Sequence, residues 1–100
     1  EKINAITLIT IKKGAVRGNH YHKKTYQWNY IVSGKMQLIT LKNKKKKKIT
    51  LIPGDIAVTK PGEAHALVGK TYCKCLVFTK GPRGGKEYET DTFRLKKPIA

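Results

Sequence analysis

Three histidines and one glutamine are the residues of this sequence best suited to hold a metal ion. His20 and His22 are two positions apart in a segment of alternating polarity. In a β-strand both imidazoles would therefore point to one face, with their Cα atoms about 6–7 Å apart. Gln27 and His65 offer two further neutral donors from elsewhere in the chain. A metal needs three or four converging ligands, so the elements that position these residues decide whether a site forms.

Alternation of apolar and polar residues with a period of two runs through most of the chain, which predicts β-strands. Turn signals such as Ser33-Gly34 and Pro53-Gly54-Asp55 separate the alternating segments, and no window has the spacing of an amphipathic helix. Many short strands between regular turns are typical of an all-β sandwich or barrel. The predicted strands are residues 3–12, 19–23, 26–33, 35–41, 49–52, 56–59, 65–68 and 72–79.

The charge of the chain is strongly unbalanced, with 22 basic residues against 6 acidic ones and a formal net charge of +16. The positive electrostatic field of such a charge favours anionic partners. Nucleic-acid readers rely on arginine, however, and here only three of the basic residues are arginines, so the composition argues against nucleic-acid binding. Five adjacent ammonium groups at Lys44–Lys48 cannot be buried together, and they predict the solvated tip of a hairpin.

Length and apolar content predict one domain without a membrane span, because 100 residues build a single core and no apolar run approaches 18–20 residues. Cys73 and Cys75 stand two apart in one predicted strand, where they are poorly oriented to form a disulfide with each other. We interpret them as core residues, and a reducing compartment, the cytoplasm, follows as the expectation. The chain starts without Met and without a signal region, so it is either cytosolic or trimmed.

Two groups of residues resemble the two motifs of the cupin family. In the first, over residues 14–34, Gln27 stands where the commoner pattern has Glu; in the second, over residues 54–69, Lys60 replaces a usual Pro and Gly69 a usual Asn. The chain is therefore identified as resembling the small single-domain cupins of the cupin 2 type, with a C-terminal extension at about residues 81–100. The matching residues are Gly14, His20-Tyr21-His22, Gln27 and Gly34, then Gly54-Asp55 and Pro61-Gly62-Glu63-Ala64-His65.

This resemblance implies one cupin jelly-roll β-barrel over residues 1–100. It also implies one divalent transition metal, namely Zn, Ni, Fe, Co or Mn, held by His20, His22, Gln27 and His65. Four neutral ligands leave the ion its full charge, which favours polarisation of a carbonyl or binding of a carboxylate. An open, histidine-rich face of this kind is also compatible with an oxygen-dependent dioxygenase.

A narrower resemblance covers Arg17-Gly18-Asn19-His20-Tyr21-His22-Lys23. It is similar to the R-G-x-H-x-H-K pattern of dTDP-sugar 3,4-ketoisomerases, whose histidines act as acid and base without metal. The cupin domain of capsular-polysaccharide enzymes, which binds metal, shares this pattern. Both imply isomerisation, epimerisation or a related proton transfer on a sugar or sugar-acid derivative, and a cupin that only binds or senses a carbohydrate is the non-catalytic alternative.

Individual roles follow as expectations from this reading. The candidate catalytic residues are His20, His22 and Glu63, and the substrate is expected to be anionic or a carbohydrate. Arg17 and Asn29 are the candidate substrate contacts, Asn29 because it shares the inward face of its strand with Gln27.

The side chains on the outward face of the predicted strand 26–33, opposite Gln27 and Asn29, indicate an interface. Four large residues there need cover, because an apolar patch of that size is unusual on a monomer. Since cupins commonly pair through an outer sheet, a homodimer is expected, and packing beneath the chain's own terminal segments is the alternative. The four residues are Tyr26, Trp28, Tyr30 and Val32.

Overall fold

The computed structural model describes residue 3, residues 5–80 and residues 91–100, and within these parts of the chain it contains strands but no helix. The all-β prediction is confirmed. Accordingly, none of these residues belongs to a helix long and apolar enough to cross a membrane. The strands are β1 (Ala5–Ile11), β2 (Val16–Tyr21), β3 (Tyr26–Ser33), β4 (Met36–Lys42), β5 (Lys45–Leu51), β6 (Ile56–Thr59), β7 (Ala64–Gly69), β8 (Cys73–Lys80) and β9 (Phe93–Arg94).

The strands form two antiparallel sheets, one in the order β1-β8-β3-β6 and the other in the order β5-β4-β7-β2-β9. The first eight strands thus have the order of a jelly roll, as predicted. Apolar side chains from the facing sides of both sheets fill the space between them, and they include both cysteines, which are free and buried. The buried core consists of Ile11, Ile31, Met36, Leu38, Leu51, Leu67, Cys73, Cys75 and Val77.

Strand β3 has the predicted alternation. Gln27, Asn29 and Ile31 are buried, whereas Tyr26 and Val32 are exposed. This regular pleat fixes which side chains of β3 face the interior, and so it places Gln27 on the side where the candidate ligands lie.

The lysine run is not the tip of a hairpin, and that prediction is wrong. The turn between β4 and β5 consists of Asn43 and Lys44, which have φ angles of 52° and 62°. Positive φ at both positions is the geometry of a type I′ hairpin turn. Lys45–Lys48 instead form the first half of β5, where all four are exposed. Because β5 is the last strand of its sheet, these ammonium groups stay in water while the backbone pairs with β4.

The C-terminal residues cover the outer face of the five-stranded sheet. Ile99 packs there in a second apolar cluster with Ile39 and Ala66. Asn19 in β2 holds the end of the chain, since its Oδ1 accepts hydrogen bonds from the N–H groups of Ile99 (2.9 Å) and Ala100 (3.1 Å). The terminal segment is thereby fixed next to the strand that carries His20.

Candidate functional site

A β-bulge in β2 brings the first histidine into the site. The register between β2 and β7 shifts at Asn19, which adopts a φ of 58°, so that His20 lies opposite His65. Gly18 precedes it with a φ of 100°, and a Cβ there would lie 2.8 Å from the main-chain oxygen of His65. Only glycine fits such a close approach in this conformation. Because of the extra residue, Arg17 and His20 share the inward face although they are three positions apart.

The three histidines form one compact cluster. Ring centroids are 4.9 Å apart for His20 and His22, 4.6 Å for His20 and His65, and 5.4 Å for His22 and His65. One ring nitrogen from each residue lies within 4.8 Å of the other two. His22 and His65 are buried, whereas His20 is half-buried. Three imidazoles can therefore converge on a single cation.

Burial keeps His65 in the neutral form that binds metals. The pKa of His65 is lowered to about 3, mainly because the charged imidazolium would lose its hydration on burial, and also because positive charge on His20 or His22 would repel it. A neutral imidazole has a lone pair available at neutral pH without first losing a proton.

Asp91, which is not part of the histidine cluster, holds the ring of His22 in place by a hydrogen bond. Nδ1 of His22 is 2.8 Å from the main-chain oxygen of Asp91. The Asp91 carboxylate accepts hydrogen bonds from the N–H groups of Lys23 (3.0 Å) and Lys24 (3.1 Å), and from the Thr25 hydroxyl (2.6 Å). Burial raises the pKa of Asp91, but these hydrogen bonds outweigh it, and the net pKa is lowered. Asp91 therefore remains a carboxylate beside the turn that follows His22.

A relay of amides orients Gln27. Asn29 donates from Nδ2 to the main-chain oxygen of Ala57 (3.2 Å), and its Oδ1 accepts from Gln27 Nε2 (2.8 Å). The oxygen Oε1 is then the atom of Gln27 left to bind a cation. Asn29 itself has no accessible surface in this structure. It lies behind Gln27 and orients that side chain, and its contact with a substrate stays a prediction.

A cavity of about 670 Å³ opens beside the histidines. His20, Gln27 and His65 line it together with two exposed arginines, Arg17 and Arg94. Arg94 lies opposite His20, in register, on the short strand β9. The sequence did not indicate Arg94, because a strand of two residues has no periodicity to detect. The guanidinium groups give this opening the chemistry to hold a carboxylate or a phosphate.

Glu63, a predicted catalytic candidate, does not line this cavity. It borders a separate groove of about 270 Å³ with Lys42, Lys45 and Lys47. Its Oε1 accepts a weak hydrogen bond from the Lys60 N–H (3.4 Å) within the turn before β7. The structure thus brings His20, His22, Gln27, His65 and Arg17 together and leaves Glu63 apart.

The donor set fits a divalent transition metal. Three imidazoles converge within 4.8 Å, and the amide of Gln27 borders the same cavity as His20 and His65. Imidazole suits Zn, Cu, Fe and Ni, and oxygen ligands suit Mn.

A comparison with protein families decides the classification. The cupin domain model matches residues 7–79 of the chain. The chain is a cupin. The match contains β2, β3 and β7, which carry His20, Gln27 and His65, and it contains His22 directly after β2, but it ends before Asp91 and Arg94. None of the curated proteins compared with this cupin matches its sequence.

Solved structures agree with this classification. QdtA, a sugar 3,4-ketoisomerase from Thermoanaerobacterium thermosaccharolyticum, is 25% identical with a TM-score of 0.81, and the match covers 94% of the cupin and 68% of QdtA. A 3,4-ketoisomerase from Helicobacter canadensis is 22% identical with a TM-score of 0.81, covering 94% and 70%. CapF from Staphylococcus aureus, a capsular polysaccharide assembling protein, is 17% identical with a TM-score of 0.79. That match covers 92% of the cupin but only 28% of the length of CapF. The last two likenesses establish the shared fold alone.

Proposed function

We propose that this cupin binds one divalent transition metal through His20, His22, Gln27 and His65, and that it catalyses isomerisation, epimerisation or a related proton transfer on a sugar derivative. The observation that carries the proposal is the convergence of three imidazole nitrogens within 4.8 Å at a cavity of about 670 Å³. A bound metal of this kind supplies a Lewis acid that polarises a carbonyl oxygen.

The cavity supports a substrate that carries an anionic group. Arg17 and Arg94 are exposed at its lining: Arg17 lies on β2 with His20, and Arg94 lies opposite His20 on the neighbouring strand β9. A guanidinium binds a phosphate or carboxylate by paired hydrogen bonds, which orients the substrate as well as holding it. Sugar nucleotides, sugar phosphates and uronic acids all carry such a group. QdtA acts on a sugar ketone according to its name, and we extend that substrate class to this cupin.

The reaction is tested by proton exchange at the carbon next to a sugar carbonyl. TDP-4-keto-6-deoxyglucose, the compound bound in one QdtA structure, is incubated with the cupin in D₂O and followed by NMR. We expect deuterium to enter beside the carbonyl with protein that carries Zn, Mn, Fe, Co or Ni, and not after a chelator has removed the metal. No exchange with this or other keto sugars, despite bound metal, contradicts catalysis and leaves a binding module.

A metal-free reaction is the second candidate, because the cupin is similar to the ketoisomerase QdtA at 25% identity. In that mechanism a neutral imidazole of His20 or His22 removes the proton directly. The same NMR experiment separates the two candidates. Exchange at full rate in chelator-treated protein supports direct acid–base chemistry and contradicts the role of the metal.

We also propose a homodimer formed by the outer face of the four-stranded sheet. Two apolar rows cross all four strands of this face, aligned by the register of β1, β8, β3 and β6. Ile6, Leu8 and Ile56 in these rows are 62%, 58% and 62% exposed. A second copy of the chain offers the same uncharged rows, so it matches this face by symmetry. The rows are Ile6–Phe78–Trp28–Val58 and Leu8–Leu76–Tyr30–Ile56.

A charge placed in the centre of these rows should separate the dimer. We expect sedimentation equilibrium to give a dimer for the wild type and a monomer for Leu8→Lys, because a buried, unpaired ammonium group is costly. Both proteins should have the same β-rich circular dichroism spectrum, since Leu8 is exposed in the single chain. Ile49→Lys is the control: Ile49 is 48% exposed but belongs to the other sheet. A monomeric wild type contradicts the proposal.

The two thiols fit the proposed cytoplasmic location. Cys73 and Cys75 are both free and buried, and burial raises the pKa of each thiol, of Cys75 to about 11. Protonated thiols in the core react slowly and need no oxidising compartment.

A further inference from the structure

We propose that Asp91 positions His22 for metal binding, so that the C-terminal segment completes the metal site. This inference rests on the proposed function and assigns a role to a residue outside the part of the chain that matches the cupin domain model, residues 7–79. Asp91 contributes no ligand. It acts through the orientation and the tautomer of one imidazole, that of His22.

The main-chain oxygen of Asp91 determines which nitrogen of His22 carries the proton. A carbonyl oxygen only accepts hydrogen bonds, and it lies 2.8 Å from Nδ1 of His22. Nδ1 must therefore donate, and the neutral ring holds its lone pair at Nε2. A hydrogen bond of this kind to the remote ring nitrogen fixes both the tautomer and the ring orientation of metal-binding histidines.

The Asp91 side chain keeps that oxygen in place. It is only 4% exposed, and its carboxylate accepts from the Lys23 and Lys24 N–H groups and from the Thr25 hydroxyl, as described above. These donors belong to the turn directly after His22. The aspartate thus holds the ring of His22 through its main chain and the following turn through its side chain.

The residues after Asp91 are anchored to β2, the strand that ends directly before His22. The Phe93 ring stacks on Tyr21 with centroids 5.3 Å apart, and the ammonium group of Lys23 lies 4.5 Å from its centre. Phe93 also pairs with Tyr21 in the sheet. The position of the Asp91 oxygen is consequently determined by contacts with Tyr21 and Lys23, the two neighbours of His22 in the chain.

The test compares Asp91→Ala and Asp91→Asn with Asp55→Ala in the protein of 100 residues. Asp55 is a matched control, because its carboxylate also accepts a main-chain hydrogen bond in a turn, from Ile52 N–H (2.9 Å), but it does not touch the histidines. Two quantities are measured: Zn²⁺ affinity by competition with a chelator, and the His22 tautomer by ¹⁵N NMR of metal-free protein. The second needs no metal, so it separates failure of this inference from failure of the proposed function.

We expect a single Nδ1–H tautomer of His22 in the wild type and in Asp55→Ala. In Asp91→Ala the tautomers should mix and Zn²⁺ should bind about 10–100-fold more weakly, the usual loss for a residue that supports a ligand. Asp91→Asn keeps one acceptor oxygen, so its Zn²⁺ affinity should lie between those of the wild type and Asp91→Ala. An Nε2–H tautomer in the wild type overturns the inference however the variants fold. Zn²⁺ affinity in Asp91→Ala equal to that of Asp55→Ala overturns it as well.

Discussion

Replacing His65 with alanine should abolish stoichiometric metal binding. We expect the affinity for Zn²⁺ to fall by more than about 100-fold, beyond the loss that a supporting residue causes. The reason is that His65 supplies one of the three converging imidazoles: its ring lies 4.6 Å from that of His20 and 5.4 Å from that of His22. Without it, two imidazoles and one amide remain, one ligand fewer than a closed tetrahedral site requires.

Metal per chain is measured by elemental analysis of protein purified without a histidine tag. His20→Ala should give the same loss as His65→Ala. Cys75→Ala is a suitable control, since Cys75 is fully buried and belongs to the apolar core rather than to the histidine cluster. One equivalent of metal retained by both histidine variants, with an unchanged circular dichroism spectrum, contradicts the four-ligand site.

The second large effect is a loss of stability in mild acid. The pKa of His65 is about 3 in the folded protein, against an ordinary value of about 6.5 in the unfolded chain. Above pH 6.5 both states hold a neutral His65, and its protonation does not affect the free energy of unfolding. As the pH falls from 6.5 towards 3, only the unfolded chain takes up the proton. Stability of the metal-free protein should then fall by about 1.4 kcal/mol for each pH unit.

Urea unfolding of metal-free protein at pH 7, 6 and 5 measures this slope. The range stays above the ordinary pKa values of Asp and Glu, where loss of carboxylate charge adds its own destabilisation. His65→Gln, which cannot be protonated, should have a shallower slope than the wild type in the same range. Equal slopes for the two proteins contradict the assignment of the effect to His65.

Alternation of apolar and polar residues, together with turn residues, was sufficient to predict strands that position the site. Strands β3 and β6 coincide with the predicted residues 26–33 and 56–59. Both have turn residues on each side, and the alternation in β3 places Gln27 inward and its neighbours outward. The motif spacing around His20, His22 and His65 indicated residues that the fold does bring together.

Contacts between residues distant in sequence could not be predicted in this way. The bulge at Asn19 is stabilised by the chain end, 80 residues away. Strand β2 begins three residues earlier than the predicted start at Asn19, because it pairs with β7 from Val16 onwards. Asp91 meets His22 across 69 residues, and Arg94 reaches His20 only through the pairing of β9. The lysines of β5 were misplaced because charge alone does not distinguish a turn from an exposed edge strand.

The position of those lysines has a consequence for solubility. An edge strand with free backbone groups can pair with another chain, and charged side chains along it oppose such pairing. Lys45–Lys48 provide that repulsion at the exposed start of β5. Repulsion between exposed charges acts over about 10 Å in 0.1 M salt but only about 3 Å in 1 M salt. The protein is therefore protected from edge-to-edge aggregation in dilute buffer, and concentrated salt removes this protection.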